Sequence, residues 1–446
     1  MRTTSGGCVA AAALAGMLGA ATAEAQVSLV DRVGVPGLRV TSAILGQPTD
    51  LGGRSESARP APSPWRLAQR VGDPQAPAAA PRVNPWFVRV GYRPGYVLPI
   101  GDFTTGANAS RQPVRWSQSM TVEVGWQADG TRAWHHAYGL PSYGIGFSGG
   151  RFDDGGELGR PLAVYGFFSW PFAQPRERLQ LTADVGVGLA WNWRPFDPQA
   201  NPYNTAIGSA TTYQLDLGLY LRYLANPRVS LYAGVDATHW SNGGARQPNG
   251  GLNAVGPKVG LRLNASPQPL RSPSGTLPPF TPAWALVVGL AGGGKGVTGT
   301  TTSALPGPER LGRFGAASAT VDMQRHFYRY GRLAAGADVT YDGSTGSRVD
   351  LVDGERVATR VGMSQRFAMG LYGGYEHVIH RLGVIAQAGY QVWRAYGHPG
   401  RPRFYQRYGL RYYLSERLWT TMAVRVDRRG RSDFIEFGGG YRLRWE

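Results

Sequence analysis

Along most of this chain apolar and polar residues alternate with a period of two. Between Leu179 and Trp193 the odd positions are Leu179, Leu181, Ala183, Val185, Val187, Leu189, Trp191 and Trp193. The even positions are Gln180, Thr182, Asp184, Gly186, Gly188, Ala190 and Asn192. From Tyr213 to Tyr223 the odd row is Tyr, Leu, Leu, Leu, Leu, Tyr, against Gln214, Asp216, Gly218, Tyr220 and Arg222. Successive side chains of a strand point to opposite faces, so each segment has one apolar face and one small, polar face carrying charges. Turn residues (Gly, Pro, Asn, Asp) separate the segments. About eight candidate strands run from Trp86 to Leu263, a Pro-rich break follows from Ser266 to Pro282, and about eight more run from Trp284 to Trp445.

A soluble sandwich also buries an apolar face, so alternation alone leaves the class open. Length, aromatic strand ends and charged interiors favour a transmembrane β-barrel, apolar outside and polar inside. Such a sheet must close, because lipid cannot satisfy an open edge. The predicted fold is therefore all-β: an antiparallel outer-membrane barrel of about 16 strands, or alternatively two tandem barrels of about 8. If the N-terminus is periplasmic, short turns at Asn226-Pro227 and Ser415-Glu416 fall inside and longer loops at 98–114, 194–210 and 242–252 fall outside. Tyr223 to Val229 and Tyr413 to Leu418 echo one another, which suggests a duplicated unit of about eight strands.

The first residues read as an export signal: Arg2, a small apolar run from Cys8 to Ala21, and Ala23-Glu24-Ala25 as a cleavage site. Cys8 is the only cysteine and would leave with it. The expected organisation is a signal peptide (1–25), a Pro/Ala-rich periplasmic leader (26–84), a first barrel unit (85–265), a Pro-rich linker (266–282) and a second set of strands (283–446). The destination is the outer membrane of a Gram-negative bacterium. Composition agrees: 64 of 446 residues are Gly, about twice the usual ~7% share, and charged residues are only 17%. The net charge of +18 is almost all Arg, since Lys258 and Lys295 are the only lysines. It is no sign of nucleic acid.

Chemistry concentrates in His239-Trp240-Ser241-Asn242-Gly243-Gly244-Ala245-Arg246-Gln247-Pro248-Asn249-Gly250-Gly251-Leu252-Asn253. Leu231, Ala233, Val235 and Ala237 are on the apolar row, so His239 and Ser241 lie on the same face, near the outer end of the strand. Asn253 begins the outward row of the next strand. A His beside a Ser is the minimum of a nucleophile and its base. A polar collar at the membrane boundary is the other reading of an isolated pair.

The fifteen residues resemble the active-site signature of the lipid A 3-O-deacylase (acyloxyacyl hydrolase-like) family: His-x-Ser-Asn, a Gly-containing loop, then Pro-Asn-x-Gly. Trp134 to Tyr143, Leu158-Gly159, Phe196-Asp197, Asn201 to Asn204 and Ile207 to Ser209 are also similar, and Asp433 to Tyr441 looks like the ending of the longer members. The resemblance implies Ser241 as nucleophile, His239 as general base, and Asn242 with the backbone N–H near Gly244 as oxyanion hole. It implies cleavage of an ester-linked 3-hydroxyacyl chain of lipid A, with lipopolysaccharide as partner and no cofactor or metal. Where the family's acid is a Glu, this chain has Asn253. Either Asn253 suffices, or a loop acid such as Asp197 assists, or activity is low. The rival is a catalytically weak or inactive barrel serving as a pore or structural protein.

Gly289 to Gly296 almost spells a phosphate loop, but Gly296 replaces the required Ser/Thr and no helix is predicted to follow, so a hairpin end is expected there. His377 and His380 read as a turn flank. In the second half the positions matching His239 and Ser241 are Arg428 and Gly430, so no second active site is expected.

Overall fold

A computed structural model describes residues 84–268, 277, 279–299, 309–352, 355–359, 361–397, 402–428 and 430–445. The signal peptide, the leader (up to residue 83) and much of the Pro-rich linker lie outside the described residues.

Eight strands form the first sheet: β1 (Trp86–Val97), β2 (Trp116–Gln127), β3 (Ser142–Phe152), β4 (Gly159–Arg176), β5 (Leu179–Trp193), β6 (Thr212–Leu224), β7 (Val229–Ser241) and β8 (Leu252–Asn264). Each pairs antiparallel with the next, and β8 returns to β1, with Phe87 opposite Asn264 and Val97 opposite Ala254. The second half contributes β9 (Ala283–Gly299), β10 (Glu309–Tyr328), β11 (Gly331–Asp342), β14 (Phe367–Ile379), β15 (Leu382–Arg394), β16 (Phe404–Tyr413), β17 (Leu418–Asp427) and β18 (Ser432–Trp445). These close separately, β18 onto β9 from Phe437–Gly292 to Trp445–Trp284. A hairpin of β12 (Arg348–Val352) and β13 (Glu355–Thr359) stands apart in the β11–β14 connection. The two-barrel alternative is thus the arrangement found, and the single 16-stranded barrel is set aside. The alternation is identical in both; which strands meet at the closing seam decides between them.

No helix among the described residues is long and apolar enough to cross a membrane. The outer faces leave apolar side chains in the open, among them Met120 (67%), Leu219 (60%), Val235 (57%), Leu290 (71%) and Leu371 (57%). Water would penalise that surface, at roughly 25 cal/mol per Å². Trp86, Trp126, Tyr223, Trp284 and Trp445 ring one end and Tyr96, Trp116 and Trp191 stand at the other end of the first barrel, as girdles at two interfaces. Inside, buried charges pair across the lumen. Arg89 bonds Glu123 and, at 2.6 Å, Asp184; Arg93 and Lys258 both sit 3.5 Å from Asp236. In the second barrel Arg407 meets Asp338 at 3.0 Å and Glu436 at 2.5 Å, while Arg332 and Arg411 flank Glu376 at 3.4 and 3.3 Å. Small inward residues make room: a Cβ on Gly260 would lie 2.2 Å from the Tyr232 ring, which explains part of the glycine excess.

Connections are short at one end of the barrels (225–228, 329–330, 380–381, 414–417) and generally longer at the other. The β2–β3 connection is an exception at the short end, since it carries helix α2 (Ala133–Ala137; α1 is Asp102–Thr105). At the long-loop end of the first barrel Val97, Phe103, Phe152, Trp193, Ile207, Trp240 and Leu252 form an apolar cluster under the loops. Trp193 belongs to it and not to the outer row: Asn192 has φ +65°, which breaks the alternation and turns Trp193 inward, where its Nε1–H donates to Thr212 Oγ1 at 3.0 Å.

Candidate active site

Three adjacent strands bring the site together. On the outer face Ser241 of β7 stands opposite Tyr213 of β6; His239 stands opposite Leu215 on β6 and Asn253 on β8. Trp240 sets the phase of this segment. It points inward against Trp193 (6.0 Å between ring centroids) and Phe152 (5.6 Å), and its Nε1–H donates to Gln214 Oε1 at 2.8 Å. With Trp240 anchored inside, the pleat holds His239 and Ser241 outward together.

His239 Nδ1 lies 2.8 Å from Asn253 Oδ1. With Nδ1–H donating to that oxygen, Nε2 is left with its lone pair, the tautomer a general base needs. Asn253 is buried and its Nδ2 has no partner among the described residues. Ser241 is also buried. Its Oγ accepts the Gly243 N–H at 2.9 Å and an Asn249 Nδ2–H at 3.3 Å. Gly251 lies against both His239 and Ser241: a Cβ there would meet His239 Cε1 at 3.2 Å and Ser241 Cβ at 3.7 Å. Its φ of +73° is a further reason for Gly.

The two donors expected from sequence are engaged within the loop. Asn242 Nδ2 donates to Arg246 O at 2.7 Å, and the Gly244 N–H donates to Asn242 Oδ1 at 3.0 Å. Asn242 shapes the turn; the groups that reach Ser241 are the Gly243 N–H and Asn249, neither of which was singled out from sequence. The Pro-Asn-x-Gly part of the motif carried the signal for Asn249. Asp197 Oδ1 accepts the N–H groups of Gln199 and Ala200 in its own turn, and Asn253 is what faces Nδ1 of His239. The neighbouring β5–β6 loop buttresses the 242–251 loop: Thr205 O and Ala206 O accept the Gly250 and Gly251 N–H groups, both at 3.0 Å.

The family described as lipid A 3-O-deacylase (PagL) matches residues 120–262, and the acyloxyacyl hydrolase C-terminal domain matches 284–445. The chain belongs to this deacylase family. The first match contains the whole His239–Asn253 segment and the second covers nearly all of the second barrel, so each barrel has its own match within the family. Among solved structures, the outer membrane enzyme PagL is 16% identical, over 39% of this chain and 98% of that one, with a TM-score of 0.27. Neisserial surface protein A is 10% identical over 40% and 96%, with a TM-score of 0.26. The monoaromatic hydrocarbon channel CymD is 10% identical over 81% and 88%, with a TM-score of 0.18. No curated protein matches the chain. Outer-membrane location follows from the family and from the lipid-facing barrels.

The remaining motifs resolve simply. Gly289–Gly296 lies inside β9, with neither the helix that a phosphate loop requires nor the hairpin end expected from sequence. His377 joins a ring cluster between the barrels, 3.0 Å from the hydroxyls of both Tyr138 and Tyr375, and His380 stacks on Trp134. Arg428 and Gly430 fall in the β17–β18 turn, beyond the end of the strand.

Proposed function

We propose that the protein is an outer-membrane serine esterase that removes an ester-linked 3-hydroxyacyl chain from lipid A. The observation that carries this reading is the His239–Asn253 contact of 2.8 Å on the lipid-facing row that also holds Ser241. A lipid reaches a site on that row by diffusing sideways in its own leaflet. The acyl chains of a lipid already lie along the barrel wall, beside Leu215 and Leu219 of β6.

In the proposed reaction His239 Nε2 takes the proton of Ser241 Oγ as the oxygen bonds to the ester carbonyl carbon. The carbonyl π pair moves onto oxygen. The oxyanion then collapses, the bond to the sugar oxygen breaks, and His239 returns its proton to that leaving alkoxide. Water, deprotonated by the same imidazole, hydrolyses the acyl-Ser241 ester. Asn253 holds the Nδ1–H edge of His239 but, being neutral, does not offset the imidazolium charge, and this sets a ceiling on the rate. The reading includes removal of the export signal before Gln26.

Among the described residues Arg–carboxylate pairs cross both barrel interiors, which speaks against a conduit. A cavity among Gln387, Arg407, Arg411 and Glu436 measures about 20 Å³, room for about one water. The test is mass spectrometry of lipid A from cells carrying the wild type or Ser241→Ala. A mass loss equal to one hydroxyacyl chain is expected only with the wild type. An unchanged pattern in cells, together with no fatty acid released by purified wild type, overturns the reading.

A further inference from the structure

We propose that the second barrel completes the catalytic site of the first: Ser432, at the start of β18, positions Asn249 so that its side-chain N–H, together with the Gly243 N–H, receives the oxyanion formed at Ser241. The inference rests on the esterase reading above and assigns a task to the barrel that lacks the motif.

A primary amide is planar and offers one acceptor oxygen and two N–H donors in fixed directions. At Asn249 these positions are all placed. Oδ1 accepts the Asn242 N–H at 3.0 Å, and Nδ2 reaches Ser241 Oγ at 3.3 Å and Ser432 Oγ at 3.2 Å. The acceptor contact fixes which end of the amide carries the hydrogens. Ser432 fixes its rotation, because with one anchor removed the amide would pivot about the other. The contact spans the two barrels, 183 residues apart in sequence. Donors that already close on a resting nucleophile lie beside the place where the carbonyl oxygen of a bound ester becomes charged.

Further contacts from β9 and β18 hold the same loop. Gly243 has φ +63°, and a Cβ there would fall 2.1 Å from Ile435 Cδ1, so the outward Ile435 side chain of β18 fills the notch left by the glycine. Gly244 has φ +85°, and a Cβ there would lie 2.9 Å from the carbonyl oxygens of both Ser432 and Asp433. The Gly296 N–H of β9 donates to Gly244 O at 2.8 Å. Two successive left-handed residues aim the Gly243 N–H at Ser241, and strands of the other barrel press on both.

The test uses full-length protein, with folding checked by heat-modifiable gel migration. Two rates are read: fatty-acid release from lipid A, and labelling of Ser241 by a fluorophosphonate, whose phosphoryl oxygen takes the oxyanion position. Asn249→Ala is expected to lower kcat by about 10²–10³-fold, as for loss of an oxyanion donor. Ser432→Ala is expected to lower kcat and the labelling rate together by about tenfold with KM little changed, the scale of one lost hydrogen bond. Ser432→Thr, which keeps the hydroxyl, is expected to restore both rates. A packing role alone would follow side-chain size and leave Thr no better than Ala. Wild-type rates in Ser432→Ala or in Asn249→Ala, or equal impairment in Ser432→Ala and Ser432→Thr, would overturn the proposal. If wild-type protein is neither labelled nor active, and so matches Ser241→Ala, the esterase reading itself falls and takes this proposal with it.

Discussion

The β7–β8 connection of the first barrel and the β17–β18 connection of the second occupy the same place in their barrels, and they differ in reach. β7 runs to Ser241 and its loop spans 242–251; β17 ends at Asp427 and its turn spans only 428–431. In the first barrel His239 therefore still lies on the paired sheet, opposite Asn253. The matching Arg428 and Gly430 lie past the last pairs, Val426–Ser432 with β18 and Asp427–Tyr405 with β16, where no neighbouring strand supplies a partner among the described residues. The interiors are alike in both barrels, with buried Arg–carboxylate pairs and tyrosines donating to acids. The His239–Ser241–Asn253 arrangement is therefore not a property of the barrel. It needs a strand long enough to carry His239 and Ser241 while its neighbour is still paired.

The first way to break this comparison has the largest expected effect. Ser241→Ala should lower the rate of fatty-acid release by about 10⁴–10⁶-fold, as for loss of a serine nucleophile. Adding Arg428→His with Gly430→Ser to that variant should restore nothing measurable, because no partner stands opposite position 428. Activity recovered in the triple variant would show that the motif alone suffices.

Next come the interiors, where the barrels should behave alike. Glu123→Gln leaves Arg89 without one partner, and Glu376→Gln leaves Arg332 and Arg411 without their shared one. Each should cost about 3–5 kcal/mol, the scale of a buried pair broken on one side. The unfolding midpoint in urea, followed by gel migration, measures this. A large loss in one barrel and none in the other would show that only one core is structural.

A smaller and more selective effect is expected from a pair of glycines. Gly251 and Gly430 have nearly the same φ, +73° and +75°. Changing either to Ala should cost about 1–2 kcal/mol of backbone strain. Only Gly251→Ala brings a methyl group within 3.2 Å of His239 Cε1, so only it should also lower kcat, by about tenfold or more. Equal kcat in the two variants would remove Gly251 from the site.

The smallest change sharpens the site itself. Asn253→Asp adds a charge beside His239 with little change of size. An amide can present either oxygen or N–H to the imidazole, whereas a carboxylate only accepts, so Asp excludes the wrong tautomer. A several-fold to tenfold rise in kcat is expected. The opposite charge also stabilises the imidazolium that forms when His239 takes the serine proton. A lower rate would contradict the assignment of Asn253 to Nδ1.

Much of this was legible in the sequence, and what was not has physical reasons. Alternation placed His239, Ser241 and Asn253 on one outward face because a strand has a strict period of two. The same rule failed at Trp193, where the left-handed Asn192 resets the phase, and a non-glycine residue in that region gives no compositional warning. Barrel number was hidden because closure depends on which strand ends meet. Asn242 and Gly244 were chosen as donors by resemblance, yet the loop uses them internally. The donors that reach Ser241 include a backbone N–H, which every residue possesses, and an amide whose orientation depends on Ser432 in a distant part of the chain.

The catalytic loop touches β9 through Gly296 and β18 through Ser432 and Ile435, and these two strands become neighbours only when the second sheet closes on itself. The fold thus carries an order of assembly. A chain whose first barrel has closed while the second is still open lacks those supports, so on the proposed reading the loop that holds Ser241 takes its final shape last.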